Sequence, residues 1–255
     1  HKTNEPWREE SAIVVFSTTK GATAICIARL VQEGKLDYDQ TVATYWPEFA
    51  AAGKQDVTVG QLMSHQAGLI YADPPLSLDE ILQVTPVVEA LAAQAPLWEP
   101  GTDHGYHAVT YGWLAGELVR RVDGRTIGQY FAEEVAGPLG LDFWIGLPED
   151  QEWRVARLRG APRPSGEALD LMRKIASPGT NGGRALTMDG AFAPIDGVDP
   201  FNTRPVRASE IPAANGVTNA ASVARMYAAT IEKLHAPIRR AHRPETSTTP
   251  TQLRT

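Results

Sequence analysis

A single cysteine, Cys26, stands among the 255 residues, inside an apolar run. One thiol excludes an intramolecular disulfide and any thiolate-rich metal site, and its surroundings give it the role of a small buried hydrophobe. Positive charge is also scarce. Lys and Arg number 24 against 30 Asp and Glu, a net charge of −6, which offers no footprint for nucleic acid or an anionic membrane. No apolar stretch reaches the roughly 18 residues of a membrane-spanning helix, and no basic, apolar leader opens the chain. These absences lean towards the cytoplasm, while His1 in place of methionine leaves open a leader removed beforehand. What is present is a hydrophobic content of 43%, enough for a globular core at this length.

Most of the periodicity is helical. Residues 12–16, AIVVF, are a short β-rich run, too short for a helix and fit for a strand. From Thr18 to about Gln32 the pattern is helix-compatible and apolar on most faces, which marks a core helix, with Gly34 as its stop. A turn and a short helix ending at Pro47 follow, then a helix over 58–69 with Thr58 as N-cap and Gly68 as terminator. Residues 77–94 read as one amphipathic helix opened by a Ser77/Glu80 capping box. Helices are also expected over 108–122, 126–136 and 220–234. Between Gly160 and Gly216 the composition turns to Gly, Pro and polar residues with one helical pattern near 167–175, so this segment should run over the surface or cover a site. The tail 235–255 lacks apolar periodicity and reads as disordered.

Within "VVFSTTKGATA" the four residues Ser17-Thr18-Thr19-Lys20 raise an electrostatic question. A cation in the first turn of a helix opposes the dipole, a cost of a few tenths of a kcal/mol or more. With nine serines and six lysines in the chain, chance alone yields about 0.2 Ser-x-x-Lys pairs, so the bare match is weak. Its context is stronger. A serine between an extended run and a buried helix sits where backbone N–H groups converge, and a lysine one turn later shares its face. Burial beside a positive dipole lowers a lysine's pKa, and the neutral amine can take a proton from serine. The plain alternative is that Ser17 is an N-cap and Lys20 extends its stem to solvent.

The blocks "VVFSTTKGATAICIARLVQEGKLDYDQTVATYWPEF", "VTVGQLMSHQAGL", "PLWEPGTDHGYHAVTYGWLAGELV", "VAGPLGLDFWIGLPE" and "EIPAANGVTNAASVARMY" follow in this order. Together, over roughly residues 7–235, they resemble the serine hydrolases of the class C β-lactamase superfamily, particularly its family VIII carboxylesterase branch and relatives of D-alanyl-D-alanine carboxypeptidases. The resemblance implies an α/β, β-lactamase/transpeptidase-like fold, here mostly its helical part (about 37–215) with the antiparallel sheet incomplete, in one domain over 1–234. It implies Ser17 as nucleophile, Lys20 as proton acceptor and Tyr106 as partner in the base role. Physically this is sound, because an ammonium favours a neighbouring phenolate and suits the pair to proton shuttling. Asp103, His107, Ala108, Asn215 and Gly216 are the candidates for substrate contact, with Asn215-Gly216 equally readable as a turn. Small ester, amide or β-lactam substrates are implied, and neither cofactor nor metal.

Departures from the family pattern shape the expectation further. Its second motif commonly reads Tyr-x-Asn, whereas position 108 is alanine, which favours the esterase-like branch over true lactamases. The third motif, a Lys-Thr-Gly, His-x-Gly or Trp-x-Gly on a late strand, is not found after residue 216, and Trp144-Ile145-Gly146 is too early in the chain and reads as a decoy. The chain therefore reads as truncated at both ends, with little activity expected, since losing one oxyanion donor costs on the order of 10²- to 10³-fold. A non-catalytic descendant that binds a ligand or partner in the same cleft is the alternative. His65 offers a catalytic base by its letters but reads as structural. His104 and His107 flank Tyr106, where they could line the pocket, a metal being disfavoured without a carboxylate and cysteine cluster. Trp98 and Tyr111 read as core.

Overall fold

The β-rich run and the helix after it form the centre of the molecule. In the computed structural model, which describes residues 6–160 and 165–231, strand β1 (Ile13–Val14) passes through a 3-10 turn at Phe16–Thr18 into helix α1 (Thr19–Gln32). α1 packs chiefly against α2 (Thr110–Asp123). Cys26, Ile27 and Leu30 of the first helix and Trp113, Leu114 and Leu118 of the second are all buried in one core. Both helices stop where expected, because Gly34 (φ 72°) and Gly124 (φ 90°) take the left-handed conformation that costs glycine least.

Strands are few. β2 (Phe143–Trp144) and β3 (Val217–Thr218) join β1 in an antiparallel sheet of order β1-β3-β2. Ile13 and Phe143 lie opposite Thr218, with Val14 and Trp144 opposite Val217. Helix thus greatly exceeds strand, as the sequence implies. The last helix among the described residues, α3 (Ala220–Ile231), follows β3 directly. The tail expected over 235–255 lies outside the described residues.

Several sequence expectations hold in kind and fail in extent. The capping boxes at Thr58 with Gln61 and Ser77 with Glu80 both form, yet the helix after Thr58 covers only Val59–Met63. His65 (φ 65°) and Gly68 (φ 72°) adopt left-handed backbone that no helix accommodates. The single helix over 77–94 is two, Leu78–Leu82 and Thr85–Ala93. Val84 (φ 67°) breaks them, and Pro86 sits where a helix start tolerates its missing N–H. The helix after Thr126 passes from α (Ile127–Phe131) to a π turn (Ala132–Ala136). The 160–216 segment holds more order than its composition suggests, with short helices at Asn181–Thr187 and Arg204–Ala208 besides Glu167–Ala176.

Residues 210–215 are wedged between the two central helices. Thr23 Oγ1 donates to Pro212 O (2.6 Å) and Trp113 Nε1 to Glu210 O (3.0 Å). α2 approaches this segment so closely at Gly112 that a Cβ there would overlap the backbone of Pro212 and Ala213. Gly112→Ala is therefore expected to destabilise the fold by about 1–3 kcal/mol through overpacking, read as a lowered urea midpoint at constant m-value.

Candidate active site

The turn after β1 is what aims Ser17. Phe16 carries φ 43°, a conformation that costs a bulky residue free energy and persists only when its surroundings hold it. Ser17 then falls in the 3-10 turn ahead of α1 and caps nothing; neither the turn nor the helix has a side-chain cap. Its hydroxyl is engaged elsewhere. Lys20 Nζ approaches Ser17 Oγ at 3.3 Å, and Tyr106 OH donates to the same oxygen at 2.5 Å. The N-cap alternative for Ser17 is thus not what forms.

Lys20 is half-buried and held by backbone carbonyls. Its ammonium donates to Ala108 O (2.6 Å) and Ala213 O (3.1 Å) as well as towards Ser17, and it lies 4.7 Å from the centroid of the Tyr106 ring. Burial holds its pKa below the usual 10.5, while the hydrogen bond and charge interaction with Tyr106 act the other way. No carboxylate is among these partners; the charged form rests on the two carbonyls and the Tyr106 contact. The head-of-helix cation questioned by the sequence is supported by two carbonyls brought in from other parts of the chain.

The loop carrying Tyr106 is fixed from beneath by two histidines. His107 is wholly buried; its Nε2 accepts from Leu69 N–H (3.1 Å), which leaves Nδ1 to donate to Gly105 O (2.6 Å). Burial pushes its pKa down to about 4, so it stays neutral near pH 7. His65 Nδ1 accepts the His107 N–H (3.1 Å), its carbonyl accepts Gly105 N–H (3.1 Å), and its ring lies 5.2 Å from that of Tyr106. Burial, then the charge of Lys20, lowers the His65 pKa too. Trp98 is half-buried with its indole N–H on Gln66 O (3.3 Å), and Tyr111 is buried, so both are packing residues.

The structure brings Ser17, Lys20 and Tyr106 together and disperses the residues expected to contact substrate. Ala108 meets Lys20 through its carbonyl. Asp103 and His104 are exposed, and the Asp103 carboxylate accepts the His104 N–H (2.7 Å). His107 and Asn215 are fully covered and cannot reach a substrate. Asn215 Oδ1 accepts from Ile211 N–H (3.0 Å) and its amide donates to Val206 O (2.8 Å) and Ser209 O (2.5 Å), which makes it the knot of a turn. Gly216 spends its N–H on Thr19 Oγ1 (3.0 Å) and its carbonyl on Val15 N–H (2.9 Å). Trp144-Ile145-Gly146 begins on β2, separated from β1 by β3, with the Arg154 guanidinium 5.2 Å over the Trp144 ring; it is no part of the cluster.

His65 is structural, as its block implies, and supports the Tyr106 loop; Ala213 as a holder of Lys20 is not legible in the sequence. Ala213 acts through its carbonyl, and no residue letter reports a carbonyl. Among the described residues, no helix is long and apolar enough to cross a membrane.

Similar proteins are numerous. The chain is 40% identical over 228 residues to the esterase/beta-lactamase LipL of Mycobacterium tuberculosis, covering 88% of this chain and 52% of LipL. Among solved structures it is similar to a penicillin-binding protein homolog from Caulobacter crescentus (42% identity, TM-score 0.73, 88% of this chain and 57% of that one). A family VIII carboxylesterase is alike to a similar degree (40% identity, TM-score 0.75, 88% and 56%). The chain thus spans a little over half the length of these three relatives. The Beta-lactamase family model matches residues 1–255, and with the small antiparallel sheet, the central helix and the serine at its head all in place, this chain belongs to the Beta-lactamase family.

Proposed function

We propose that the chain is a serine hydrolase that cleaves esters through an acyl-enzyme. Ser17 Oγ attacks the carbonyl carbon as its proton passes to the Lys20–Tyr106 pair. The tetrahedral intermediate collapses, the C–O bond to the alcohol breaks, and that alkoxide takes the proton back from the pair. Water then repeats the sequence and releases the acid. Two easier steps replace one hard step. The Ser17 N–H is the donor at hand for the oxyanion, since the Thr18 and Thr19 N–H groups are engaged by Val15 O and Phe16 O.

The observation that carries this reading is the convergence on one serine oxygen of a phenol at 2.5 Å and a half-buried amine at 3.3 Å. A surface serine has no use for either. Alanine at position 108 supplies no amide for a lactam substrate, and the family VIII carboxylesterase is named for ester cleavage, while the name of LipL gives both activities. A cleft that only binds a ligand would not need its lysine desolvated.

Hydrolysis of p-nitrophenyl acetate and butyrate, with Ser17→Ala as the blank and nitrocefin as the lactam comparison, tests the proposal. Expected are Ser17-dependent turnover, faster on the esters than on nitrocefin, and a single fluorophosphonate adduct on Ser17 by mass spectrometry. Such turnover also overturns the expectation of a dead enzyme. Folded protein that neither labels nor exceeds the Ser17→Ala rate would refute the proposed activity.

A further inference from the structure

Between the serine and the lysine of the motif stands a residue to which neither the family resemblance nor the proposed chemistry gives a part. Thr19 is wholly buried. Its hydroxyl donates to Phe16 O at 2.6 Å and accepts the Gly216 N–H at 3.0 Å. Phe16 is the residue with φ 43°, immediately before Ser17. The carbonyl of a strained residue is therefore tied to the helix that follows it, and the same hydroxyl ties that helix to the start of β3. Gly216 closes the loop, since its carbonyl accepts from Val15 N–H at 2.9 Å, just ahead of Phe16. The approach leaves no room for a side chain: a Cβ on Gly216 would lie 2.6 Å from Thr19 Oγ1 and 2.7 Å from the Phe143 ring.

We infer that Thr19 is a positioning residue, whose hydroxyl, rather than its bulk, holds the Phe16 turn in the left-handed conformation that aims Ser17 at Tyr106 and Lys20. The inference rests on the proposed hydrolase activity for its kinetic consequence, and on geometry alone for the clamp itself. Left-handed backbone at phenylalanine relaxes unless it is over-determined. The Thr19 N–H on Phe16 O and the Phe16 ring against Phe201 hold one side of the turn, and the two bonds of the Thr19 hydroxyl with the Val15–Gly216 bond fasten it to β3. Without the hydroxyl the turn relaxes towards ordinary backbone and Ser17 Oγ swings away from its partners. Misplacement of about 1 Å is enough to cost on the order of 10²-fold in rate.

Thr19→Val keeps the shape and removes both hydrogen bonds, while Thr19→Ser keeps the hydroxyl and removes a methyl. In Thr19→Val the kcat for p-nitrophenyl butyrate is expected to fall about 10- to 100-fold with KM within about twofold, because the substrate-binding surface is unchanged. Thr19→Ser is expected to retain kcat within about threefold. Hydrogen exchange at the Gly216 amide supplies a readout that needs no activity, and it should quicken at least about tenfold in Thr19→Val and stay near wild type in Thr19→Ser. Unchanged kcat in the valine variant, or a serine variant as slow as valine, would overturn the inference. If the wild type has no Ser17-dependent activity, the hydrolase reading fails while exchange still decides the clamp: protection lost with valine alone supports it, and equal protection in all three proteins overturns it.

Discussion

Lys20→Met is expected to lower kcat/KM for p-nitrophenyl butyrate by at least about 10³-fold while leaving the thermal midpoint within a few degrees. Methionine keeps the length of the stem and removes only the nitrogen. General acid–base help is commonly worth 10²- to 10⁴-fold, and Lys20 has no substitute in the site, since His65 makes its contacts with the Tyr106 loop. The fold loses less because a desolvated ammonium is a poor source of stability, although Ala108 O and Ala213 O lose their donor. Fold and function therefore separate in this variant. A variant within tenfold of wild type would remove Lys20 from the mechanism.

The same lysine sets the pH dependence. Its folded pKa lies below 10.5 through burial, partly offset by Tyr106. The neutral amine that accepts the serine proton thus accumulates as pH rises through a value below 10.5, and the rate should rise with it, a limb that disappears in Lys20→Met. The stability contribution has the same sign. Between the folded and unfolded pKa values the unfolded chain binds the additional proton, so the Lys20 contribution improves as pH rises through that window and is least favourable below it. A wild-type ester-hydrolysis profile that is flat from neutral pH to pH 10 would contradict this role.

Asn215→Ala is expected to be the most damaging stability variant, at about 3 kcal/mol. The side chain is fully buried and serves three backbone groups, Ile211 N–H, Val206 O and Ser209 O. Alanine strips the buried Ile211 N–H and the part-buried Ser209 O of this partner and leaves Val206 O with the Ser209 hydroxyl alone (3.2 Å), and each lost partner of a buried group costs about 1–3 kcal/mol. At this chain length the loss corresponds to a fall in thermal midpoint of roughly 6–12 °C. A substrate-contacting asparagine behaves in the opposite way, raising KM with little change in stability. Calorimetry and KM measured on the same preparation distinguish the two.

The failures and successes of sequence reading divide along physical lines. The helix starts at Thr58 and Ser77 were legible because a capping box is a contact between residues three apart. The α1 span was legible because an all-round apolar face has a local period. The breaks at His65 and Val84 were not, since left-handed backbone at non-glycine residues is imposed by tertiary contacts rather than by composition. Burial likewise separated His107 and Asn215 from the substrate, which residue type alone could not do.

From the sequence by itself came the family, the central helix and three residues able to do acyl-transfer chemistry, because spacing within one helix and ordered motif blocks are properties of the letters. The tertiary structure alone decided that Tyr106, 89 residues from Ser17, meets it at 2.5 Å, and that carbonyls from Ala108 and Ala213 hold the lysine. It also decided that Thr19 is bound to Gly216, 197 residues away. Hydrogen bonds of this kind depend on where the backbone is carried by packing, and a carbonyl or an amide N–H is the same in every residue that bears one.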